Sequence, residues 1–200
     1  LGMGFANSVY DQTTALRQHN SDINSRLLIP GKRLWYDGLH EMITERNLYP
    51  DANFTMRLTY DTVMGYEPRD AVVYLPQTTH EGIIEKVSSR PEVYNTPDKL
   101  ITLLKEGDFG PYAENGILPV SFLSNLDITG GNSGSPVINA RGELIGVAYD
   151  GNWEAMSSDI AFSPEMQRCI AVDIRYVLFI VDKFGGAGYL LNEMDIVRKK

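Results

Sequence analysis

Ser133 lies at the centre of a glycine-rich stretch whose residue types suit nucleophilic chemistry. The stretch reads Thr129-Gly130-Gly131-Asn132-Ser133-Gly134-Ser135-Pro136. A serine nucleophile needs its hydroxyl presented from a tight turn whose backbone N–H groups converge on the developing oxyanion. Glycine permits the backbone angles and the close approach that such a turn requires. We therefore predict Ser133 as a nucleophile, with the N–H groups of Gly131 and Ser133 as oxyanion donors.

The residues that follow favour a functional serine over a plain polar turn. Val137-Ile138 and Glu143 to Tyr149 predict two strands of a hairpin, joined by the turn residues 139–142. The main competing serine motif is the elbow Gly-x-Ser-x-Gly, which needs glycine two places after the serine and a helix beyond it. Ser135 occupies the glycine place and a strand follows, so the elbow is excluded.

Composition and charge narrow the class of protein. The hydrophobic share of 43% and the charged share of 22% are those of a soluble globular protein. A formal net charge of −8 argues against binding to nucleic acid or to an anionic membrane, which would need a basic surface. No apolar run approaches the roughly 18 residues of a membrane span. The start of the chain lacks the pattern of a signal peptide, so we expect a mature chain, a cytosolic one or an internal piece of a longer protein.

Neither a metal site nor another cofactor is expected. Cys169 is the only cysteine, which excludes a disulfide or a cysteine metal site within the chain, and its apolar neighbours predict a small buried side chain. His40-Glu41 resembles the start of a zinc-helix motif, but Thr44 stands where the second histidine would be.

The first fifty or so residues show a helical period and predict a helix pair. Pro30-Gly31 breaks the first run, and Asn47 to Asp51 end the second. A segment of about fifty residues makes no convincing independent core, so it is expected to pack against something else or to decorate a β-barrel. The residues that carry the period are Val9, Leu16, Ile23 and Leu27, then Trp35, Leu39, Met42, Ile43 and Arg46.

From Asn53 the period changes to two, which predicts an antiparallel barrel with peripheral helices. Helical patterns interrupt the strands at Lys99–Lys105 and at about Tyr176–Lys183, and His80 lies in a connecting segment after Gln77-Thr78-Thr79. The predicted strands are Phe54 to Tyr60, Ala71 to Leu75, Leu118 to Leu123, the hairpin described above, and Ile170 to Ile174.

Three separated motifs, in order, carry a resemblance to a known family: Thr129 to Val137, Asp150 to Glu154, and Val172 to Phe179. The chain resembles the C-terminal part of the bacterial dipeptidyl-peptidases 7 and 11, and is more similar to the dipeptidyl-peptidase 7 type. The resemblance implies a mainly β fold with helices, in which a chymotrypsin-like double barrel is interrupted by a large helical domain. It further implies that residues 1–51 end the helical domain and that residues 52–200 form the C-terminal part of the peptidase domain, mostly its second barrel.

The resemblance also implies roles for individual residues. Ser133 matches the nucleophile, and Gly131 with Ser133 matches the oxyanion donors. Asp150 matches the carboxylate that binds the free α-amino group of the substrate, so that the enzyme releases dipeptides. Gly151 matches the wall of the pocket for the second residue, where family members with arginine prefer acidic residues and glycine leaves room for apolar ones. From the spacing alone, Asp150-Gly151 would equally suit a hairpin turn.

A serine nucleophile needs a histidine base that is held by a carboxylate. His19, His40 and His80 are the three histidines, and none lies in a setting that resembles the family's histidine motif. The resemblance places that histidine and the catalytic aspartate in a first barrel ahead of the helical domain. We therefore expect this chain to be a fragment or an expressed domain that carries half of an active site and has little turnover alone.

The resemblance implies an oligopeptide substrate, contact with the remainder of the same polypeptide, a homodimer, and a periplasmic or outer-membrane-associated location in a Gram-negative bacterium. Two other functions stay open. One is a non-catalytic module that captures peptide N-termini through Asp150. The other is an ordinary chymotrypsin-like endopeptidase with His80 as base, which requires His80 within about 3 Å of the Ser133 hydroxyl.

Overall fold

The computed structural model describes residues 2–44, 55–158 and 161–197. The chain divides into two compact units, residues 1–50 and residues 51–200. The assignment of the first unit to the end of an inserted helical domain stays a prediction.

The first unit is a continuous helical run rather than the predicted helix pair. Helix α1 (Gly2–Ile23) passes through a π-helical turn (Asn24–Leu28) into helix α2 (Ile29–Met42). Pro30 does not break the run, because it lies just after the π-helical turn. In a regular α-helix the Pro30 ring would clash with the carbonyl of residue 26, and that residue lies in the wider π turn.

None of the described residues in this first unit is buried. Apolar side chains such as Phe5 and Trp35 are exposed, which agrees with the expectation that so short a segment has no core of its own. The predicted stop at Asn47 to Asp51 lies outside the described residues. Among helices in the described ranges, none has both the length and the apolar character that a bilayer crossing requires.

The second unit is built on an antiparallel five-stranded sheet and a separate two-stranded hairpin. The sheet has the strand order β3-β4-β7-β6-β5, with every neighbouring pair antiparallel, and the hairpin pairs β1 with β2. In chain order the strands are β1 (Tyr66–Arg69), β2 (Val72–Tyr74), β3 (Gln77–Thr79), β4 (Pro119–Ser124), β5 (Pro136–Ile138), β6 (Leu144–Gly151) and β7 (Cys169–Asp173).

Three helices accompany the sheet: α3 (His80–Ser89), α4 (Asp98–Glu106) and α5 (Ile174–Phe179), the last continued by a π-helical segment (Ile180–Phe184). One core lies among the helices beside the start of β4, and its buried residues are Leu100, Leu104, Phe109, Tyr112, Leu118 and Phe179. The other lies on the sheet, and its buried residues are Phe122, Val137, Ala148, Cys169 and Ala171.

The sheet core depends on one glycine in β6. A Cβ atom at Gly146 would lie 2.6 Å from the Phe122 ring and 2.6 Å from the Val172 carbonyl oxygen. Only a residue without a side chain therefore lets the phenyl ring cover β6 at this point. The ring closes the core beneath the strand that carries Asp150.

The predicted fold class, antiparallel β-structure with helices, is confirmed. The strands predicted at Leu118 to Leu123, Val137-Ile138, Glu143 to Tyr149 and Ile170 to Ile174 form β4, β5, β6 and β7 with shifts of one or two residues. The helix predicted at Lys99–Lys105 forms α4. The last predicted helix begins earlier, at Ile174, because the Asp173 side chain accepts a hydrogen bond from the Arg175 N–H at 2.9 Å and caps it.

Two predictions for the start of this unit are wrong. Residues 55–60 form no strand in the described part of the chain, and Met56, Leu58 and Tyr60 are exposed. Phe54 lies outside that part. Backbone contact with the residue after β4 is made at Thr62, whose carbonyl accepts from the Asn125 N–H at 2.9 Å. The connecting segment predicted around His80 forms β3 and α3 instead, because β4 supplies β3 with a pairing partner that its polar sequence does not reveal.

Candidate active site

Two consecutive tight turns shape the glycine-rich stretch. The N–H of Asn132 donates to the Thr129 carbonyl at 3.2 Å, and the N–H of Ser135 donates to the Asn132 carbonyl at 2.9 Å. The third residue of each turn is a glycine with positive φ, Gly131 at 101° and Gly134 at 87°. A turn with this angle at its third position is of the type II kind, which glycine adopts without steric cost. The three-residue spacing of the two glycines therefore builds the double turn.

Strand β6 holds this double turn in place. The N–H of Gly134 donates to the Ala148 carbonyl at 2.7 Å, and the N–H of Ala148 donates to the Ser135 carbonyl at 2.9 Å. The Ser133 hydroxyl is exposed and donates to the Tyr149 carbonyl at 3.3 Å. The predicted nucleophile thus lies at the surface, directly against the strand that carries Asp150.

A second set of contacts fixes the start of the double turn. The Thr129 N–H donates to Asn132 Oδ1 at 3.0 Å, and Arg57 Nη1 donates to Thr129 Oγ1 at 3.1 Å. Arg57 comes from the extended segment before β1, 72 residues away in sequence. No sequence signal pointed to it, because its partner becomes a neighbour only in the folded unit.

The backbone N–H groups of the double turn fall into two sets. Those of Asn132, Gly134 and Ser135 donate to carbonyl oxygens, as described above. The N–H groups of Gly131 and Ser133 have no acceptor among the described residues. These two N–H groups, one on the exposed serine and one two residues earlier, can donate to a negatively charged oxygen.

A β-bulge brings Asp150 to the surface. The pairing of β6 with β7 shifts between Ala148 and Asp150, so Tyr149 is an extra residue. Gly146 and Ala148 are buried, and regular alternation would bury Asp150 as well. The bulge instead leaves Tyr149 and Asp150 exposed, which avoids the cost of burying an unpaired carboxylate.

The Asp150 carboxylate is available to a cation. Its Oδ1 accepts a hydrogen bond from the N–H of Gly151 at 2.8 Å. It forms no ion pair with any residue in the described ranges. An exposed carboxylate beside the strand position that contacts the Ser133 hydroxyl can bind an ammonium group close to the nucleophile.

Gly151 lies where β6 ends against a 3-10 helix (Trp153–Ser157). A Cβ atom at Gly151 would lie 3.0 Å from Ala155 Cβ and 3.7 Å from the Arg168 carbonyl oxygen. A larger residue at this position would have to displace Ala155 or point away from it. Because glycine has no side chain, the surface next to Asp150 carries no protruding group at position 151.

His80 is engaged elsewhere in the fold. It is buried at the start of α3, its Nδ1 accepts a hydrogen bond from the Leu118 N–H at 3.3 Å, and its ring centre lies 4.5 Å from that of Phe109. These contacts place the His80 ring against the helix core. The Ser133 hydroxyl donates instead to the Tyr149 carbonyl in β6. The structure does not bring His80 to Ser133, so the endopeptidase alternative with His80 as base is not supported.

Charge around the β5–β6 turn is locally satisfied. Arg141 donates to both oxygens of Glu143, at 3.0 and 2.6 Å, and Asn139 Nδ2 donates to the same carboxylate. The hydrogen bonds from Arg141, and to a smaller extent the one from Asn139, lower the pKa of Glu143 to about 2.

The remaining titratable groups in the described ranges give no sign of a metal site. Burial raises the pKa of the Cys169 thiol. No cluster of three or more potential metal ligands occurs within the described residues.

The positive φ of Gly134 generates a prediction for the double turn. Gly134→Ala should destabilise the protein by about 1–2 kcal/mol, because an L-residue is strained in this conformation even though open space surrounds the position. Gly130→Ala is the matched control, since Gly130 also has open space around it and has no positive φ. Urea unfolding measures both variants, and an equal effect of the two would contradict the double turn.

Comparison with known proteins identifies relatives along nearly the whole chain. The family model for peptidase S46 matches residues 2–196. Dipeptidyl-peptidase 7 of Porphyromonas gingivalis is 48% identical over 180 residues, which are 90% of this chain and 25% of the relative. Dipeptidyl-peptidase 7 of Phocaeicola vulgatus is 56% identical over 161 residues, 80% of this chain and 22% of the relative. An Asp/Glu-specific dipeptidyl-peptidase of P. gingivalis is 45% identical over 194 residues, 96% of this chain and 27% of the relative.

Solved structures also show similarity along nearly the whole chain. The crystal structure of Porphyromonas endodontalis DPP11 in complex with the dipeptide Arg-Asp superposes with a TM-score of 0.81 at 42% identity, over 94% of this chain and 27% of the other. The chain thus spans about a quarter of the length of the curated relatives it matches. On its sequence and its fold, the chain belongs to peptidase family S46 and corresponds to the C-terminal portion of the family's longer members.

Proposed function

We propose that the protein carrying this chain is a serine exopeptidase that releases dipeptides from the free N-terminus of oligopeptides. The observation that carries this proposal is the hydrogen bond from the Ser133 hydroxyl to the Tyr149 carbonyl, because it sets a nucleophile beside Asp150, whose carboxylate forms no ion pair within the described residues. The names of the relatives, dipeptidyl-peptidase 7 and Asp/Glu-specific dipeptidyl-peptidase, support the same reaction class.

The chemistry is acyl transfer through Ser133. Its oxygen attacks the carbonyl carbon of the substrate's second residue, and its proton passes to a base. The N–H groups of Gly131 and Ser133 stabilise the negative charge on the carbonyl oxygen. The base returns that proton to the departing nitrogen as the peptide bond breaks, so the shortened peptide leaves as an amine and a dipeptidyl ester of Ser133 remains. Water then attacks that ester, releases the dipeptide and restores the hydroxyl.

The base and its supporting carboxylate are proposed to come from residues outside this chain. His80, the only histidine after residue 50, is buried against Phe109 and bonded to Leu118. The relatives are about four times as long as the aligned segment, which leaves ample sequence for a first half of the active site.

Asp150 is proposed to bind the substrate's α-ammonium group. This contact would set the cleavage position two residues from the N-terminus. A carboxylate at this place pairs with a cationic terminus, whereas the interior of a peptide offers it no charge. The exposure of Asp150 at the bulge and its lack of an ion pair within the described residues support this role.

Gly151 is proposed to favour an apolar second residue. The relatives include both dipeptidyl-peptidase 7 and the Asp/Glu-specific kind, so identity alone does not decide the preference. A glycine at this position of the pocket carries no positive charge that would attract an acidic side chain. It also leaves room for an apolar side chain.

One observation favours a second candidate, a non-catalytic module that captures peptide N-termini. The exposed Asp150 carboxylate forms no ion pair within the described residues, so it can hold an ammonium group whether or not Ser133 reacts. Peptide binding through Asp150 without hydrolysis in the whole protein would favour this candidate.

Labelling with a fluorophosphonate tests the divided active site. The whole protein should react rapidly at Ser133, Ser133→Ala should not react, and Ser135→Ala should react like the wild type. The 200-residue chain alone should react on the order of 10²- to 10⁴-fold more slowly, the usual contribution of a general base. Rapid labelling of the isolated chain would show that it contains its own base.

Asp150→Asn tests the recognition of the N-terminus. This substitution keeps the size of the side chain and removes its charge, so kcat/KM for peptides with a free N-terminus should fall about ten- to hundredfold. The matched measurement uses the same peptides with an acetylated N-terminus, whose low rate should not change. A similar loss on both substrates would assign Asp150 a role other than binding the ammonium group.

Substitution of Gly151 tests the preference for the second residue. Gly151→Arg should lower kcat/KM for substrates with an apolar second residue and raise it for those with aspartate or glutamate, since a guanidinium group pairs with a carboxylate. Gly151→Met adds comparable length without charge and should lower the first value without raising the second. If both variants behave alike on acidic substrates, Gly151 does not line this pocket.

A further inference from the structure

Asn152, which directly follows the Asp150-Gly151 pair, is more than nine-tenths buried and fully hydrogen-bonded. Its N–H donates to the Arg168 carbonyl at 2.9 Å, and its Oδ1 accepts from the Arg168 N–H at 2.8 Å. Its Nδ2 donates to the Met166 carbonyl at 2.8 Å and to Glu154 Oε2 at 2.9 Å. The side chain thus extends the β6–β7 pairing by one residue beyond Gly151 and fixes where the strand ends.

The Glu154 carboxylate joins this asparagine to the β1–β2 hairpin. Its Oε2 also accepts a hydrogen bond from the Tyr66 hydroxyl at 2.9 Å, across 88 residues of sequence. Burial raises the pKa of Tyr66, so its hydroxyl remains a donor throughout the neutral range. The same oxygen therefore receives one donor from the end of β6 and one from the hairpin.

Arg168 closes the set of contacts. Its guanidinium carbon lies 5.6 Å from the centre of the Tyr66 ring, and its Nε and Nη2 donate to the Gly65 carbonyl at 3.2 and 3.0 Å. Only 2% of Arg168 is exposed, and burial lowers its pKa. Tyr66, Asn152, Glu154 and Arg168, which we call the Asn152 network, thus form a closed ring of contacts. The Asn152 network connects the β1–β2 hairpin to β6 and β7 where β6 ends at Gly151.

We infer that Tyr66 and Asn152 are positioning residues for substrate binding, which hold the Asp150-Gly151 segment through the shared Glu154 carboxylate. This inference rests on the proposed function of Asp150 and Gly151. Neither residue touches the reacting atoms. They restrain the segment that binds the ammonium group and borders the second side chain, so that less conformational freedom is lost when a peptide binds.

The expected kinetic effect follows from where the segment acts. The ammonium group and the second side chain are bound in the ground state and in the transition state alike. Loosening their binding segment therefore weakens both states equally, which raises KM and leaves kcat nearly unchanged. A residue of the nucleophile loop would instead lower kcat.

Tyr66→Phe in the whole protein tests the inference, with Tyr74→Phe as the matched control. The rings of Tyr66 and Tyr74 lie 5.0 Å apart, but the Tyr74 hydroxyl makes no hydrogen bond to a residue in the described ranges. Tyr66→Phe should raise KM about three- to tenfold with kcat within about twofold, the effect expected for one lost hydrogen bond. Tyr74→Phe should leave both constants within about twofold.

Glu154 variants separate positioning from direct contact with the substrate. A glutamine oxygen at this place can accept both hydrogen bonds, so Glu154→Gln should keep KM close to that of the wild type. Glu154→Ala removes the acceptor and should raise KM at least as much as Tyr66→Phe. If Glu154→Gln is as damaging as Glu154→Ala, the carboxylate acts by its charge on the substrate and the inference is overturned. An unchanged KM in Tyr66→Phe, or a fall in kcat alone, also overturns it.

Hydrogen exchange gives a readout that does not need peptidase activity. The N–H of Ala155 donates to the Asn152 carbonyl at 3.0 Å, and the N–H of Asn152 donates to the Arg168 carbonyl. The N–H groups of Asn152 and Ala155 should both exchange faster in Tyr66→Phe than in Tyr74→Phe. Equal exchange in the two variants overturns the inference. If the wild type releases no dipeptides, the proposed function fails, while exchange still decides whether the Asn152 network holds the segment.

Discussion

The two backbone hydrogen bonds that Ala148 exchanges with the glycine-rich loop hold the candidate active site together. One arrives from the Gly134 N–H and the other goes to the Ser135 carbonyl. Ala148 is buried in β6, which lies between β5 and β7 in the sheet, so the loop takes its position from the paired strands rather than from its own residues. These bonds fix the distance between the Ser133 turn and the segment of β6 that carries Asp150.

Strand β6 serves two purposes because its pairing with β7 shifts at Tyr149. Up to Ala148, β6 contributes buried residues to the sheet core, and the phenyl ring of Phe122 covers it at Gly146. The bulge at Tyr149 then turns Asp150 outward. A carboxylate that would otherwise enter an apolar core becomes available to a cation, at the cost of one irregular pairing. The position of the bulge is therefore as important to the site as the identity of Asp150.

Sequence reasoning succeeded where the signal is local and the pairing partner is close in sequence. The glycines at 131 and 134 have the backbone angles that their turn requires, and the hairpin after Pro136 forms as predicted. It failed where the partner is distant or missing. Strand β3 is polar and becomes a strand through β4, some forty residues later. Residues 55–60 alternate like a strand, yet belong to no strand in the described part of the chain. Pro30 predicted a helix break, but a π turn accommodates it.

The sequence by itself determined the chemistry on offer: a serine among glycines, an Asp-Gly pair seventeen residues later, and no histidine in a setting that suits a base. These properties depend on residue types and short spacings, which the chain carries into any fold. Only the tertiary structure decided that the Ser133 hydroxyl meets the strand residue preceding Asp150, that His80 is enclosed in the helix core, and that Tyr66 reaches Glu154. Those relations depend on strand register and side-chain packing, which the whole unit sets together through contacts between residues far apart in the chain.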